Sequence, residues 1–425
     1  MNTTAAEIQK YIYRLWPIMR SITGDGVRES LGIISEIVDM EIVEVPTGTR
    51  VLDWVVPKEW VIRDAYIIRP DGKKILDIHD NNLHIVNYSI PFKGKISKTE
   101  LENHLHSLPE MPEAIPYITS YYVPRWGFCI SHNERLTLPD GEYEVYIDAE
   151  HIDGSLTYGE AVLPGKTDKE ILLSTYVCHP SLGNNELSGP VVAAFLHREL
   201  ASIEDRRYTY RFLFCPETIG SIAFLSKRGD YLRKKLHAGY VVTCVGDNGP
   251  FTYKRSRRGD TTADRAAEYV LKVSKDTKYV IKDFFPVPGS DERQYCSPGF
   301  NLPVGSLMRT MYGQYNEYHT SLDNLQYISI SSMLDSIRMY LDILICIEYN
   351  GKYLNIFPEG EPQLIRRKIF PKLSDELKSF LWVLNYSDGN NDLLEISNKS
   401  GISLDSLYNT ALKCLRAGIL HEIED

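Results

Sequence analysis

The chain has 425 residues, 43% of them apolar and 24% charged, with a formal net charge of −10. Such a length allows a large buried core and two or three domains, and the acidic balance argues against a general nucleic-acid binder or an anionic-membrane partner. No run approaches 18 consecutive apolar residues, so no membrane span is expected. The polar start Met1-Asn2-Thr3-Thr4 lacks the apolar stretch of a secretory leader. With seven dispersed cysteines and no CxxC, this predicts a cytoplasmic protein whose thiols are reduced and mostly serve packing.

Ile8, Ile12, Leu15 and Met19 fall at helical spacing, so a helix is predicted over Ala5–Met19, with a second from Val27 to Val38 after the turn Thr23-Gly24-Asp25-Gly26. From Ile42 to about Leu163, short β-branched and aromatic runs alternate with turns such as Pro70-Asp71-Gly72 and Pro139-Asp140-Gly141. That texture predicts a β-rich domain over 41–164. Within it, Tyr121 to Phe128 is unusually aromatic and is read as core ahead of a wall facing a site. Ile171–Val177 is a continuous apolar strand buried on both faces. Helical spacing follows from Ser188 to Leu200, then a strand over Tyr210–Phe214, a helix through Ile222, Leu225 and Leu232, and a strand over Tyr240–Val245. This alternation predicts an α/β domain, 1–40 with 165–365, built on a mainly parallel central sheet with helices on both faces. Residues 366–425 carry three short helices and a strand at Ile419-Leu420, the rhythm of a winged helix-turn-helix. The segment Asp405 to Lys413 would be its recognition helix, but it holds a single Lys and an Asp, without a basic footprint. A packing or dimerising role, hence a homo-oligomer, is expected, and nucleic acid is not.

Polar clusters gather just past the predicted strands, where open α/β sheets bind ligands. Cys178-His179-Pro180-Ser181 runs into Asn184-Asn185-Glu186, and Ser188-Gly189 opens a helix. Glu217 follows Phe212-Leu213-Phe214, a setting that raises a carboxyl pKa and suits a general base, though a first-turn Glu would look the same. Asp247 follows the third strand in a stretch that is equally a turn signal. His319 lies in a polar loop, with Asp323 placed to orient its second ring nitrogen. His and carboxylate donors converging in this way point to a catalytic zinc. Arg309 could clamp a substrate carboxylate, Asp291 or Glu292 could hold a free amino group, and Tyr315 flanks the late His. Surface ion pairing is the alternative for these charged groups. Lys254-Arg255 and Arg257-Arg258 are read as a solvated loop ahead of an anion site.

In this order, the segments HP…NNELSG, PETIGS, GDNG, GSDERQY and EYHTSLDN resemble the co-catalytic zinc aminopeptidase superfamily, which includes glutaminyl cyclase-like enzymes. The arrangement is more similar still to bacterial aminopeptidase-like proteins with an inserted β domain and a terminal winged helix, some linked to surface-polysaccharide gene clusters. Arg20-Ser21-Ile22-Thr23-Gly24-Asp25-Gly26 and Ser120 to Gly127 share in that resemblance, which covers nearly the whole chain. It implies that His179 and Asp247 bind a first metal and His319 a second. The bridging Asp of the peptidases falls at Asn185, beside Glu186, whose longer side chain could take its place; of the glutamate pair, Glu217 alone survives. Asn offers one neutral oxygen and cannot bridge two cations as a carboxylate does. The expectation is a zinc-dependent, aminopeptidase-like amide hydrolase. One or two ions are held by His179, Glu186, Asp247 and His319, Glu217 is the base, and the substrate is a small peptide or aminoacyl compound. The alternatives are a deacylase acting on polysaccharide precursors and a silent binding protein on a peptidase fold.

Overall fold

Continuous apolar runs become the strands of one eight-stranded mixed sheet. In the computed structural model, which describes residues 3–275, 277–369 and 374–423, these are β1 (Glu41–Pro46), β2 (Ser155–Leu163), β3 (Glu170–Tyr176), β4 (Thr209–Cys215), β5 (Leu236–Val242), β6 (Phe251–Lys254), β7 (Tyr279–Lys282) and β8 (Val304–Met308). Their spatial order is β1-β2-β4-β3-β5-β8-β6-β7. The central four, β4-β3-β5-β8, are parallel, while β2 adds antiparallel to β4, β1 antiparallel to β2 and β6 antiparallel to β8. Every residue of β3 is buried. A strand read as apolar throughout therefore has both faces covered.

Helices α1 (Thr3–Leu15) and α2 (Asp25–Ile34) precede the sheet, α3 (Ser188–Ala201) follows β3, and α4 (Ile219–Lys235) follows β4. Gly189 lets the start of α3 press onto the sheet, since a Cβ there would stand 2.5 Å from the Val242 carbonyl oxygen and 2.6 Å from Thr175 Oγ1. The β-rich stretch builds a separate antiparallel sheet from Lys74–Ile75, Glu59–Ile68, Glu142–Ile152 and Phe92–Ser97. Its two ends, β1 and β2, pair instead into the large sheet. Of the aromatic run, Trp126 and Phe128 join the core, whereas Tyr122 and Val123 are exposed.

The chain divides into two compact units, Met1–Thr261 with Thr277–Arg338, and Thr262–Asp276 with Met339–Asp425. The second holds helices Ser374–Tyr386, Leu393–Ser400 and Leu404–Arg416, with a three-stranded antiparallel sheet of Asp388–Asp392, Lys352–Asn355 and Leu420–Ile423. Asp392 and Glu395 form a reciprocal cap on the middle helix, and Gly401 ends it in the left-handed region. These elements make a winged helix. Among the described residues, no helix is long and apolar enough to cross a membrane.

Candidate active site

His179 sits three residues past the end of β3 and is buried. Its Nδ1 is 2.7 Å from Glu186 Oε2, and the other Glu186 oxygen accepts the Cys178 N–H at 2.5 Å. Arg20, fully buried, donates from Nε to the His179 carbonyl at 2.8 Å and lies 3.7 Å from Glu186. A carboxylate on Nδ1 fixes the proton there and turns Nε2 toward the site. Nε2 faces Glu217 Oε2 at 3.5 Å. Burial works to lower the His179 pKa, but the Glu186 hydrogen bond and the charges of Glu186 and Glu217 more than offset it, leaving it raised.

Glu217 is fixed from the other side: Ser290 Oγ donates to its Oε1 at 2.6 Å. Burial raises its pKa, against the pull of His179 and Ser290. Asp291, fully buried, does not present its carboxylate to a substrate amine; Oδ1 accepts Thr218 N–H at 2.7 Å and Ser221 Oγ–H at 2.9 Å. Burial and the Glu217 charge push Asp291 up. Glu292 is spent on an ion pair with Lys254 at 2.8 Å, both side chains fully buried. Lys254 is therefore an interior residue, where a solvated loop was expected.

His319 joins through its ring, whose centroid is 5.5 Å from that of His179. The Tyr117 ring stands T-shaped to both imidazoles, with centroids 5.1 and 5.2 Å apart, and its backbone N–H donates to the His319 carbonyl at 2.8 Å. Burial and the neighbouring His179 press the His319 pKa down to about 3, so the ring is neutral. Its Nε2 is buried without a hydrogen-bond partner among the described residues, and so is Asn185 Oδ1. Ser181, Thr218, Cys244 and His319 all have positive φ, from 41° to 65°. Each such residue costs about 1–3 kcal/mol, and strain of this kind clusters at functional sites.

Asp247 and Asp323 are used differently from the expectation. Asp323 does not reach the His319 ring; it accepts the N–H groups of Asn184 and Asn185 at 2.6 and 2.9 Å and the Tyr315 hydroxyl at 3.1 Å. It thereby caps the π-helical turn Gly183–Leu187 that carries Asn185 and Glu186. Asp247 accepts from Asn184 Nδ2, Gly249 N–H, Thr310 N–H and Thr310 Oγ. Arg309 pairs with Asp335, donates to the Gly249 carbonyl at 3.1 Å and stacks 4.4 Å from the Phe251 ring centroid, so its guanidinium is committed within the fold. Among the described His, Cys, Asp and Glu, Cys178, His179 and Glu186 bring donor atoms within 4.8 Å of one another. That cluster is already tied by the Nδ1 and Cys178 N–H bonds and faces the Arg20 cation, which disfavours a metal at that spot.

The roles of Arg20, Ser290 and Tyr117 were not legible as sequence. Arg20 and Ser290 sit in phrases whose pattern stood out, but Tyr117 carries no local signal at all. Each reaches the site only through folding.

Residues 9–350 match the family described as "Domain of unknown function (DUF4910)", and residues 351–422 match a winged helix-turn-helix family. The chain belongs to the DUF4910 family. A Clostridium acetobutylicum protein, provisionally described as a polysaccharide biosynthesis protein with aminopeptidase-like domain, is 47% identical over 425 residues, covering 97% of this chain and 96% of its own. A crystal structure from the same species, provisionally of a peptidase, aligns at TM-score 0.91 and 46% identity over 99% of this chain and 97% of that one. A zinc aminopeptidase from Bacillus subtilis aligns at TM-score 0.59 and 12% identity over 80% of this chain and 94% of its own, a likeness of fold alone. The DUF4910 portion thus has an aminopeptidase-like fold, and the pairing of His179 with Glu217 lies within it.

Proposed function

We propose that this chain is a zinc-dependent hydrolase of an amide bond in a small peptide, aminoacyl or N-acyl substrate, with Glu217 moving the proton. The observation that carries the reading is the Glu217 carboxylate, 3.5 Å from Nε2 of an imidazole whose other nitrogen is held by Glu186. Zinc takes imidazole nitrogen and oxygen donors. With Nδ1 held by Glu186, the His179 ring turns Nε2 toward the site, and His319 Nε2 and Asn185 Oδ1 are buried polar atoms with no partner among the described residues. Atoms of that kind call for an explanation, and an absent ion is one. These three groups would hold one zinc, which would polarise the scissile carbonyl and acidify water. A second ion lacks a bridging carboxylate, because position 185 is Asn and Glu186 is spent on His179.

The protein's own groups divide the remaining work. Glu217, its basicity raised by burial, takes a proton from the attacking water and returns it to the leaving nitrogen. Ser290 fixes one carboxylate oxygen so that the other addresses the reacting atoms. Glu186 and Arg20 keep the His179 ring in register. The Clostridium relative's name speaks of polysaccharide biosynthesis, and an amide that chemistry offers is the N-acyl group of an amino sugar, which we take as the substrate class to test first.

Elemental analysis of wild type and His179→Ala, purified without chelators, tests the metal. About one zinc per chain, lost in the variant, is expected. A screen of aminoacyl amides against N-acyl amino sugars tests the substrate. No zinc after its addition, and no hydrolysis of either class, would leave a binding protein on a peptidase fold.

A further inference from the structure

Lys254 ends strand β6 with its side chain fully buried, a costly place for an ammonium group. Its Nζ donates to Glu292 Oε1 at 2.8 Å and to the Pro288 carbonyl at 3.1 Å, and is 3.0 Å from the Tyr312 hydroxyl. It also lies 4.2 Å from the Phe285 ring centroid. Glu292, equally buried, accepts the Ser290 N–H at 3.0 and 3.2 Å and the Tyr312 hydroxyl at 2.8 Å. Ser290 in turn holds Glu217 through its hydroxyl. The contacts form one line: Lys254 holds Glu292, Glu292 holds the backbone of Ser290, and Ser290 holds Glu217.

We infer that Lys254 and Glu292 are positioning residues whose buried ion pair sets Ser290 against the Glu217 carboxylate; the catalytic part of this rests on the function proposed above. A buried pair adds little net stability over well-packed apolar side chains of similar volume, so stability alone is a poor reason for one beside this site. What the pair supplies is geometry. Glu292 Oε1 accepts from Lys254, Tyr312 and the Ser290 N–H together, and Oε2 shares that N–H, so the carboxylate ties the Ser290 backbone to both partners at once. A loop shift of about 1 Å is enough to lose the bond from Ser290 to Glu217 and a large part of the rate.

The experiment compares wild type, Ser290→Ala, the apolar double variant Lys254→Met/Glu292→Leu, and the triple variant. Replacing both charges avoids stranding one, so the double variant is expected to fold with a Tm within about 5 °C of wild type. Its kcat should fall about tenfold or more with KM within about twofold, and adding Ser290→Ala should lower it no further, the mark of residues acting through one contact. Unchanged kcat, or losses that multiply, would overturn the inference. A crystal structure of the double variant reads the contact without any activity: a Ser290 hydroxyl displaced from Glu217 supports the inference, and one still within hydrogen-bond distance overturns it. Should wild type hydrolyse nothing, the function fails alone, and this structural arm still decides the positioning.

Discussion

Two groups of residues past the carboxyl ends of the central strands differ in how their polar atoms are satisfied. Around His179, Glu217 and His319, groups are aimed at one another but left incomplete: a 3.5 Å gap, and an imidazole nitrogen and an amide oxygen without partners among the described residues. Around Asp247, Asn184 and Asp323, the carboxylates are saturated by backbone N–H groups, an amide and hydroxyls. Two-metal chemistry would need both sides open. Here one side keeps the unfilled polar atoms on which the proposed function rests, and the other holds the π-helical turn in place. The difference teaches that a carboxylate at a strand end is defined by its donors, not by its position.

The largest effect is expected on the scaffold side. Asp323→Ala strands three buried donors and should cost about 4 kcal/mol in denaturant unfolding, since each lost partner leaves a penalty of 1–3. A loss under about 1 kcal/mol would break the contrast. On the reactive side, Glu217→Gln should leave unfolding nearly unchanged while kcat falls about a hundredfold; full activity would remove Glu217 from the chemistry. Asp247→Ala is intermediate, about 2 kcal/mol, because the Gly249 and Thr310 groups are only partly buried and water can replace the carboxylate. Zinc content should stay at its wild-type level in that variant, and its loss would put Asp247 back among the ligands.

The smallest effect lies outside both sides and serves as a control on acid sensitivity. Burial lowers the pKa of His84, against the bond between its Nδ1 and the Cys129 carbonyl. The unfolded chain therefore takes up a proton near pH 6.5 that the folded chain resists. Stability from this ring is present above that pH and is lost as pH falls through it. Between pH 7.5 and 5.5, wild type should lose about 1 kcal/mol more than His84→Gln. Equal losses would trace acid sensitivity to other groups.

Apolar patterning by itself placed strands at Ile171–Val177 and Tyr210–Phe214, within a residue of the observed Glu170–Tyr176 and Thr209–Cys215, and with them the helix from Ser188 and the winged helix. Burial on both faces and a 3.6-residue period write themselves locally. The third strand was less legible. The apolar run Tyr240–Val245 predicts extension to 245, but the strand closes at Val242 because Cys244 turns into the left-handed region at φ 50°. The β-rich texture of 41–164 was readable, but not that its first and last strands pair into the large sheet, since a strand's partner lies outside its own sequence. The site shows the same division. His179, Glu217 and His319 were visible as residue types just past apolar runs or in a polar loop, and Asn185 as a departure from a bridging carboxylate. Only the tertiary structure decided that Glu186 holds an imidazole, that Asp247 and Asp323 hold backbone, and that Lys254 is buried. A side chain's chemistry is set by the partners that folding brings within 3 Å, and these stand far off in sequence, as Arg20 does, 159 positions from His179.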